Sequence, residues 1–126
     1  MTVFFVCAGI LGLLAALLAL NISRLRRAKR VSLGDGGDKE LTAAVRAHGN
    51  LTEWTPFCLL LIYLLHGPYG SRNIAILAVV FTIGRLAHVG GMLGFVPIGR
   101  VTGATVTILI TIIASVMLIV AGIRAL

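Results

Sequence analysis

The stretch Arg46–Glu53, which reads RAHGNLTE, opens a segment that continues to Leu65 as an almost uninterrupted apolar run. The run has the length and composition of a membrane helix, yet its first half carries an arginine, an asparagine and a glutamate. At about 3.6 residues per turn, Arg46, Asn50 and Glu53 lie within roughly 60° of one another around the helix axis. Charge inside a bilayer is costly, so such residues usually face the protein interior and mark a functional site.

The rest of the chain is apolar as well. Of its 126 residues, 59% are hydrophobic, and the mean hydropathy of +1.07 is far too high for a soluble domain. Backbone groups in lipid must be satisfied within a helix or a closed barrel, and no long alternating pattern indicates a barrel. We therefore expect one all-α domain over residues 1–126, an integral membrane four-helix bundle. Its helices are predicted at about 3–30, 42–66, 73–93 and 101–123, each long enough to span a bilayer.

The basic residues are distributed unevenly between the loops. The formal net charge is +7, but its position between helices argues against nucleic acid as a partner. By the positive-inside rule, the first and third loops are cytoplasmic and both termini lie on the opposite side. Arg72 and Arg124 fall on that opposite side, whereas the basic residues of the first and third loops are Arg24, Arg26, Arg27, Lys29, Arg30, Lys39 and Arg100.

A second polar set lies on helix 3, where Arg85 and His88 are three residues apart and share one face. Helix 2 enters the membrane near residue 42, and helix 3 returns to the same side near residue 93. At 1.5 Å per residue, Arg46, Asn50 and Glu53 lie roughly 6, 12 and 17 Å deep. By the same rise, Arg85 and His88 lie roughly 12 and 8 Å deep. The two sets therefore share one half of the membrane, and we expect one pocket open to the cytoplasm.

The charges expected at this pocket favour an anionic ligand. Arg46, Arg85 and Arg100, the last at the pocket mouth, outnumber the single carboxylate of Glu53. Guanidinium groups bind carboxylates through two parallel hydrogen bonds. Glu53 is expected to pair with Arg46 or Arg85, or to hold an ammonium group of the ligand. An interhelical Arg–Glu cluster that fixes packing without any ligand stays open as the alternative.

Helix ends and packing faces carry further signals. Asp38 or Thr42 is expected to cap helix 2, and Pro56 to kink it. The glycines of residues 90–94 are expected to loosen the end of helix 3. A four-residue repeat of small residues on helix 4 predicts a packing face, whose members are Gly103, Thr107, Thr111 and Ser115.

The stretch Arg46–Glu53 with Pro56, and the run Gly84–His88, resemble the MAPEG family, the membrane-associated proteins in eicosanoid and glutathione metabolism. The resemblance covers essentially the whole chain and is strongest to the short bacterial members. It implies a homotrimer in the bacterial inner membrane that binds glutathione between adjacent subunits, near the cytoplasmic face. The residues it assigns to the glutathione site are Arg46, Asn50 and Glu53, with His88 lining the pocket and Arg26 or Arg27 reaching in from the neighbouring helix 1.

The resemblance also implies an enzyme. Arg100 matches the arginine that stabilises the glutathione thiolate, which would attack a lipophilic electrophile, or reduce a peroxide, arriving from membrane lipid. The chain departs from the eicosanoid-type members, because Trp54, Met92 and Ala104 stand where these carry tyrosines. Val101 stands where a serine follows the arginine, so Arg100 alone would activate the thiol.

Two other functions remain open from the sequence. A non-catalytic glutathione- or lipid-binding membrane protein would keep the pocket without the chemistry. A small multidrug transporter would also have four helices and an embedded glutamate, but that glutamate belongs in helix 1, which here has no acidic residue. Arginines on helices 2 and 3 suit a cation exporter badly. A glutathione transferase is the preferred prediction.

Overall fold

The structure, a computed structural model, describes residues 1–126 and contains four helices and no strand. The helices are α1 (Thr2–Lys29), α2 (Lys39–Leu64), α3 (His66–Met92) and α4 (Gly99–Arg124). The predicted all-α four-helix fold is confirmed. By length and composition, α1, α3 and α4 are apolar enough to cross a membrane. Helix α2 does not meet that criterion, although its 26 residues make it as long as α4.

The helix boundaries differ from the predicted ones by a few residues. Helix α1 continues through its basic end and stops at Arg30, whose left-handed backbone (φ 56°) ends the helix. Helix α3 begins at His66 rather than near residue 73, because the residues before Gly70 already form a turn of helix. Gly70 breaks that helix with φ 75° and ψ 170°, a conformation that essentially only glycine adopts.

Side chains fix the connection between α1 and α2. Asp38 caps α2, as predicted, and its Oδ1 accepts the Leu41 N–H at 2.9 Å. At the end of α1, Nζ of Lys29 lies 2.8 Å from Oδ2 of Asp38 and 3.0 Å from Oε2 of Glu40. The Lys29 ammonium and the Leu41 N–H hold the pKa of the Asp38 carboxyl below its usual range. Helix α2 then continues through Pro56 to Leu64 without a break in its helical structure.

Helices α2 and α3 occupy the centre of the bundle. Each packs against all three other helices, whereas α1 and α4 contact α2 and α3 but not each other. The main apolar core is built from all four helices and includes the fully buried side chains of Leu11, Leu51, Ile62 and Phe81. The polar residues of α3 therefore lie within reach of both α2 and α4.

Glycines let α3 and α4 approach closely. A Cβ atom on Gly103 would lie 2.6 Å from the backbone nitrogen and the Cβ of His88. A Cβ on Gly91 would overlap the backbone of α4 at Arg100, so this glycine sits inside a tight contact. The expected loosening at Gly90 and Gly91 is wrong, because α3 stays helical to Met92. The predicted packing face of α4 is confirmed at Gly103 and Thr107, both of which are buried.

Gly103→Ala is expected to destabilise the protein because the added methyl group has no room between the two helices. Overpacking of this kind costs about 1–3 kcal/mol. Gly122→Ala is the matched control, since a Cβ there meets nothing within 4 Å and alanine raises helix propensity. Thermal unfolding in one detergent should show a lower midpoint for Gly103→Ala and an equal or higher one for Gly122→Ala. Equal midpoints for the two variants would contradict the proposed close contact.

Candidate functional site

A cavity opens at the end of the bundle that carries the α1–α2 and α3–α4 loops. Its volume is about 460 Å³, and three helices form its wall. The residues of this basic cavity are Lys39, Thr42, Ala43, Arg46 and Asn50 of α2, His88, Gly91 and Met92 of α3, and Arg100 of α4.

The charges in the wall are all positive. Lys39, Arg46 and Arg100 line the basic cavity together with the titratable His88, and no aspartate or glutamate does. All three cationic residues are exposed, and their side chains form no ion pair or hydrogen bond within the chain. Their donors are therefore free for a ligand. A cavity with several cations and no carboxylate favours an anion.

His88 links α3 to the start of α4. Its Nδ1 lies 2.8 Å from the backbone carbonyl oxygen of Arg100. A carbonyl oxygen can only accept, so Nδ1 must carry the hydrogen in this bond. In a neutral imidazole the Nε2 atom is then a hydrogen-bond acceptor. The bond holds the ring of His88 beside Arg100, which is one of the three cationic residues.

Arg85 is buried behind the basic cavity, with an exposed fraction of 1%. Its Nη2 donates to Oδ1 of Asn50 at 2.7 Å, and its Nη1 donates to Oγ1 of Thr107 at 3.2 Å. Its Nε has no hydrogen-bond partner, and no carboxylate pairs with it. One side chain of α3 thus joins α2 and α4. It also fixes Asn50 in the wall of the basic cavity.

The structure brings together four of the residues predicted for the site and leaves four outside the basic cavity, namely Arg26, Arg27, Glu53 and the buried Arg85. Arg46, Asn50, His88 and Arg100 share its wall, whereas Glu53 does not. Glu53 is exposed, forms no ion pair with Arg46 or Arg85, and has its carboxylate beside Gly49. The polar stripe of α2 therefore faces in two directions within the protomer.

The two arginines predicted from helix 1 differ in their contacts. Arg26 donates from Nε and Nη2 to the carbonyl oxygen of Gly34, at 3.2 and 3.0 Å, and borders a groove between α1 and α2. Arg27 is exposed and makes no side-chain hydrogen bond or ion pair in the chain. Within one protomer, neither arginine lines the basic cavity.

Two wall residues were missed by the sequence analysis. Lys39 and Thr42 precede Arg46 by seven and four residues, which places them on the same face of α2. Continuing the helical spacing from Arg46 towards the N-terminus of the helix would have identified both Lys39 and Thr42. They were missed because helix 2 was predicted to begin at residue 42. Lys39 was therefore assigned to the first loop and interpreted only as a signal of membrane topology.

Comparison with known proteins agrees with this architecture. A model of the MAPEG family matches residues 4–120. Inner membrane protein YecN of Escherichia coli K12 is 35% identical over 89 residues, which cover 67% of this chain and 68% of YecN. YecN of Escherichia coli O6:H1 matches with the same figures. Since the family match covers nearly the whole chain, this protein is a membrane protein and belongs to the MAPEG family.

Proposed function

We propose that this protein binds glutathione in the basic cavity and joins it, through its thiol sulfur, to a lipophilic electrophile. The observation that carries the proposal is the wall with Lys39, Arg46 and Arg100 and without any acidic residue. Glutathione has two carboxylates and one ammonium group, so it brings the net negative charge that this wall lacks. A role related to glutathione is typical of the MAPEG family, to which the chain belongs.

The cavity fits a ligand of this size and charge. Its volume of about 460 Å³ lies within the range of about 300–1,000 Å³ for small-molecule sites. The free guanidinium of Arg46 is suited to grip one carboxylate through two hydrogen bonds, and Lys39 to hold the other as a point charge. Asn50 uses its oxygen to accept from Arg85, so its amide NH₂ group remains available to donate to the tripeptide.

Arg100 and His88 would activate the thiol. A cation beside a thiol lowers the thiol pKa, and the thiolate is the nucleophile. In the proposed step the thiol proton passes to Nε2 of His88, Arg100 stabilises the thiolate, and the sulfur attacks an electrophilic carbon. The carbon–sulfur bond forms as the bond to the leaving group breaks, and the leaving group departs with that electron pair. The electrophile enters from the bilayer. The second reaction that the same thiolate supports is reduction of a peroxide to an alcohol, in which a second glutathione completes the glutathione disulfide.

We further propose that the site is completed in a homotrimer. Glu53 lies fourteen residues into α2, about 21 Å from its start at 1.5 Å per residue, and is exposed. With entry into the membrane near residue 42, this carboxylate lies roughly 17 Å deep, where an exposed charge is costly in lipid. A neighbouring subunit would cover it and would present the partner subunit's Arg27, or the partner's Arg26, to the basic cavity. Arg27 is the better candidate because Arg26 already binds the Gly34 carbonyl.

The proposed location is the bacterial inner membrane, with the basic cavity open to the cytoplasm. YecN is named as an inner membrane protein. The basic residues of the first and third loops favour a cytoplasmic position for the end that carries the cavity. Glutathione is the main thiol buffer of the cytosol. This orientation would therefore give the cavity direct access to its ligand.

A second function, glutathione binding without catalysis, is favoured by one observation. The wall of the basic cavity contains no tyrosine and no serine, so activation of the thiol is assigned to Arg100 and His88 alone. If these two residues serve only to bind, the protein is a carrier or sensor of glutathione. Measuring binding and turnover separately distinguishes the two functions.

Arg46→Ala is expected to weaken glutathione binding because it removes a charge-assisted contact. The expected loss is about 1–3 kcal/mol, or roughly 5- to 150-fold in Kd. Calorimetry on the protein purified in detergent measures it. Arg72→Ala is the control, since Arg72 is exposed near the start of α3, far from the cavity. An unchanged Kd for Arg46→Ala would refute the assignment of this cavity.

Arg100→Ala and His88→Asn are expected to reduce turnover more than binding. Asparagine can still donate to the Arg100 carbonyl but lacks the Nε2 acceptor, so loss of the base should cost about 100-fold or more in kcat. The rate of Arg100→Ala should recover as the pH approaches the ordinary thiol pKa of about 8.5. Conjugation of glutathione to a chlorodinitrobenzene measures both. Wild-type turnover in Arg100→Ala would rule out its role at the thiolate.

The purified protein is expected to be a trimer by native mass spectrometry in detergent. Reversal of charge in Glu53→Arg should shift the population towards monomers, because it places a cation at the proposed contact between subunits. Glu40→Gln is the control, since Glu40 is an exposed acid at the start of α2. A wild-type monomer, or equal trimer populations in the two variants, would show that Glu53 has no part in assembly.

A further inference from the structure

The loop between α3 and α4 carries no polar side chain. Its residues 93–98 read LGFVPI. The α1–α2 loop is the opposite case, because four of its nine residues carry a charge or a hydroxyl group, namely Arg30, Ser32, Asp35 and Asp38. Loops that run through water are normally polar. The composition of the α3–α4 loop therefore indicates a less polar surrounding than water.

The α3–α4 loop satisfies most of its own hydrogen-bond donors. The N–H groups of Phe95 and Val96 both donate to the Gly90 carbonyl oxygen, at 2.8 and 3.2 Å. Other backbone carbonyls accept the N–H groups of Leu93, Gly94 and Gly99. Pro97 has no N–H, so Ile98 alone keeps a donor without a backbone partner. A loop that bonds its own donors to this extent can lie where little water is present.

The end of α3 holds Phe95 outward. Gly94 has a left-handed backbone (φ 85°), and the bond from the Phe95 N–H to the Gly90 carbonyl completes a Schellman motif. In this motif the residue at the position of Phe95 commonly packs against the residue at the position of Gly90. Glycine offers no side chain for that contact, and Phe95 is 79% exposed. The backbone thus presents an aromatic ring that no other part of the chain covers.

The outward residues of this loop continue the outer side of α4. Ile98 and Val101 are each 67% exposed. The exposed positions that follow along the helix at intervals of three or four residues are Thr105, Ile108, Ile112, Val116, Ile119 and Ile123. Since α4 is long and apolar enough to span a membrane, this stripe contacts lipid unless another subunit covers it.

The length of α4 places the loop at the edge of the membrane. Its 26 residues form a helix about 39 Å long, whereas the hydrocarbon core is about 30 Å thick. The helix ends therefore reach the headgroup level, where aromatic side chains are favoured. This end of the bundle also carries the basic α1–α2 loop, whose charge complements negatively charged headgroups.

We infer that the α3–α4 loop inserts Phe95 and Ile98 into the lipid leaflet on the side of the basic cavity. Gly91 and Met92 before the loop and Arg100 after it line that cavity, so the loop holds the cavity mouth at the lipid surface. This contact with lipid does not depend on which ligand the basic cavity binds.

A single introduced tryptophan tests the position of the loop. Trp54 is the only tryptophan of the chain, so Trp54→Phe provides a silent background for Phe95→Trp. In lipid nanodiscs, a phospholipid brominated near the headgroup end of its acyl chains should remove most of the fluorescence, because bromine quenches tryptophan on contact. A phospholipid brominated near the chain end should quench less, and acrylamide in the water should quench little.

Leu33→Trp in the same background is the matched control. Leu33 is 84% exposed and lies in the polar α1–α2 loop, between Ser32 and Gly34. Its probe should show the opposite pattern, with strong quenching by acrylamide and weak quenching by both brominated lipids. Ile98→Trp is a second probe of the α3–α4 loop and should behave like Phe95→Trp. Thermal unfolding checks that each variant is folded.

Two results would overturn the inference. Quenching of the Phe95→Trp and Ile98→Trp probes by acrylamide to the extent seen in Leu33→Trp would place the loop in water. Resistance of both probes to acrylamide and to the brominated lipids would place the loop against another subunit.

Discussion

Arg85 lies between three helices and has no acidic residue with which to pair. Such a charge is tolerated only where hydrogen bonds and a polar surrounding replace water. Asn50 and Thr107 supply two of those bonds, and so α2 and α4 are held at fixed positions relative to α3. The wall of the basic cavity depends on this contact, because it fixes Asn50 there.

The close contact of α3 and α4 adds the second half of the site. Gly103 lets the backbone of α4 touch α3 at His88, and Gly91 admits the backbone around Arg100. His88 can therefore reach the Arg100 carbonyl with Nδ1, which settles the tautomer of its ring. Small residues are a common means of bringing membrane helices together. Here Gly91 and Gly103 also bring Arg100 close to His88. The packing of the helices and the arrangement of these two cavity residues therefore depend on the same glycines.

Much of the fold and part of the site could be predicted from the sequence. Hydropathy and the absence of a strand pattern were enough for four helices, and helical spacing placed Arg46 and Asn50 in one pocket with His88. The direction of Glu53 could not be predicted, because a spread of 60° around α2 spans the boundary between the cavity and the outer surface. The glycines near residue 91 were misread, since a glycine that admits a neighbouring backbone looks in sequence like one that loosens a helix. The role of Thr107 was hidden for a similar reason: a small residue on a packing face gives no sign that it accepts a buried guanidinium.

The basic cavity opens at the end of the bundle, with exposed Lys39, Arg46 and Arg100 in its wall. Asn50, in the same wall, has one oxygen and one NH₂ group, and the oxygen is already committed to Arg85. Only its NH₂ group is therefore left as a donor. A buried arginine that does not line the basic cavity thus decides which hydrogen-bonding group Asn50 keeps free.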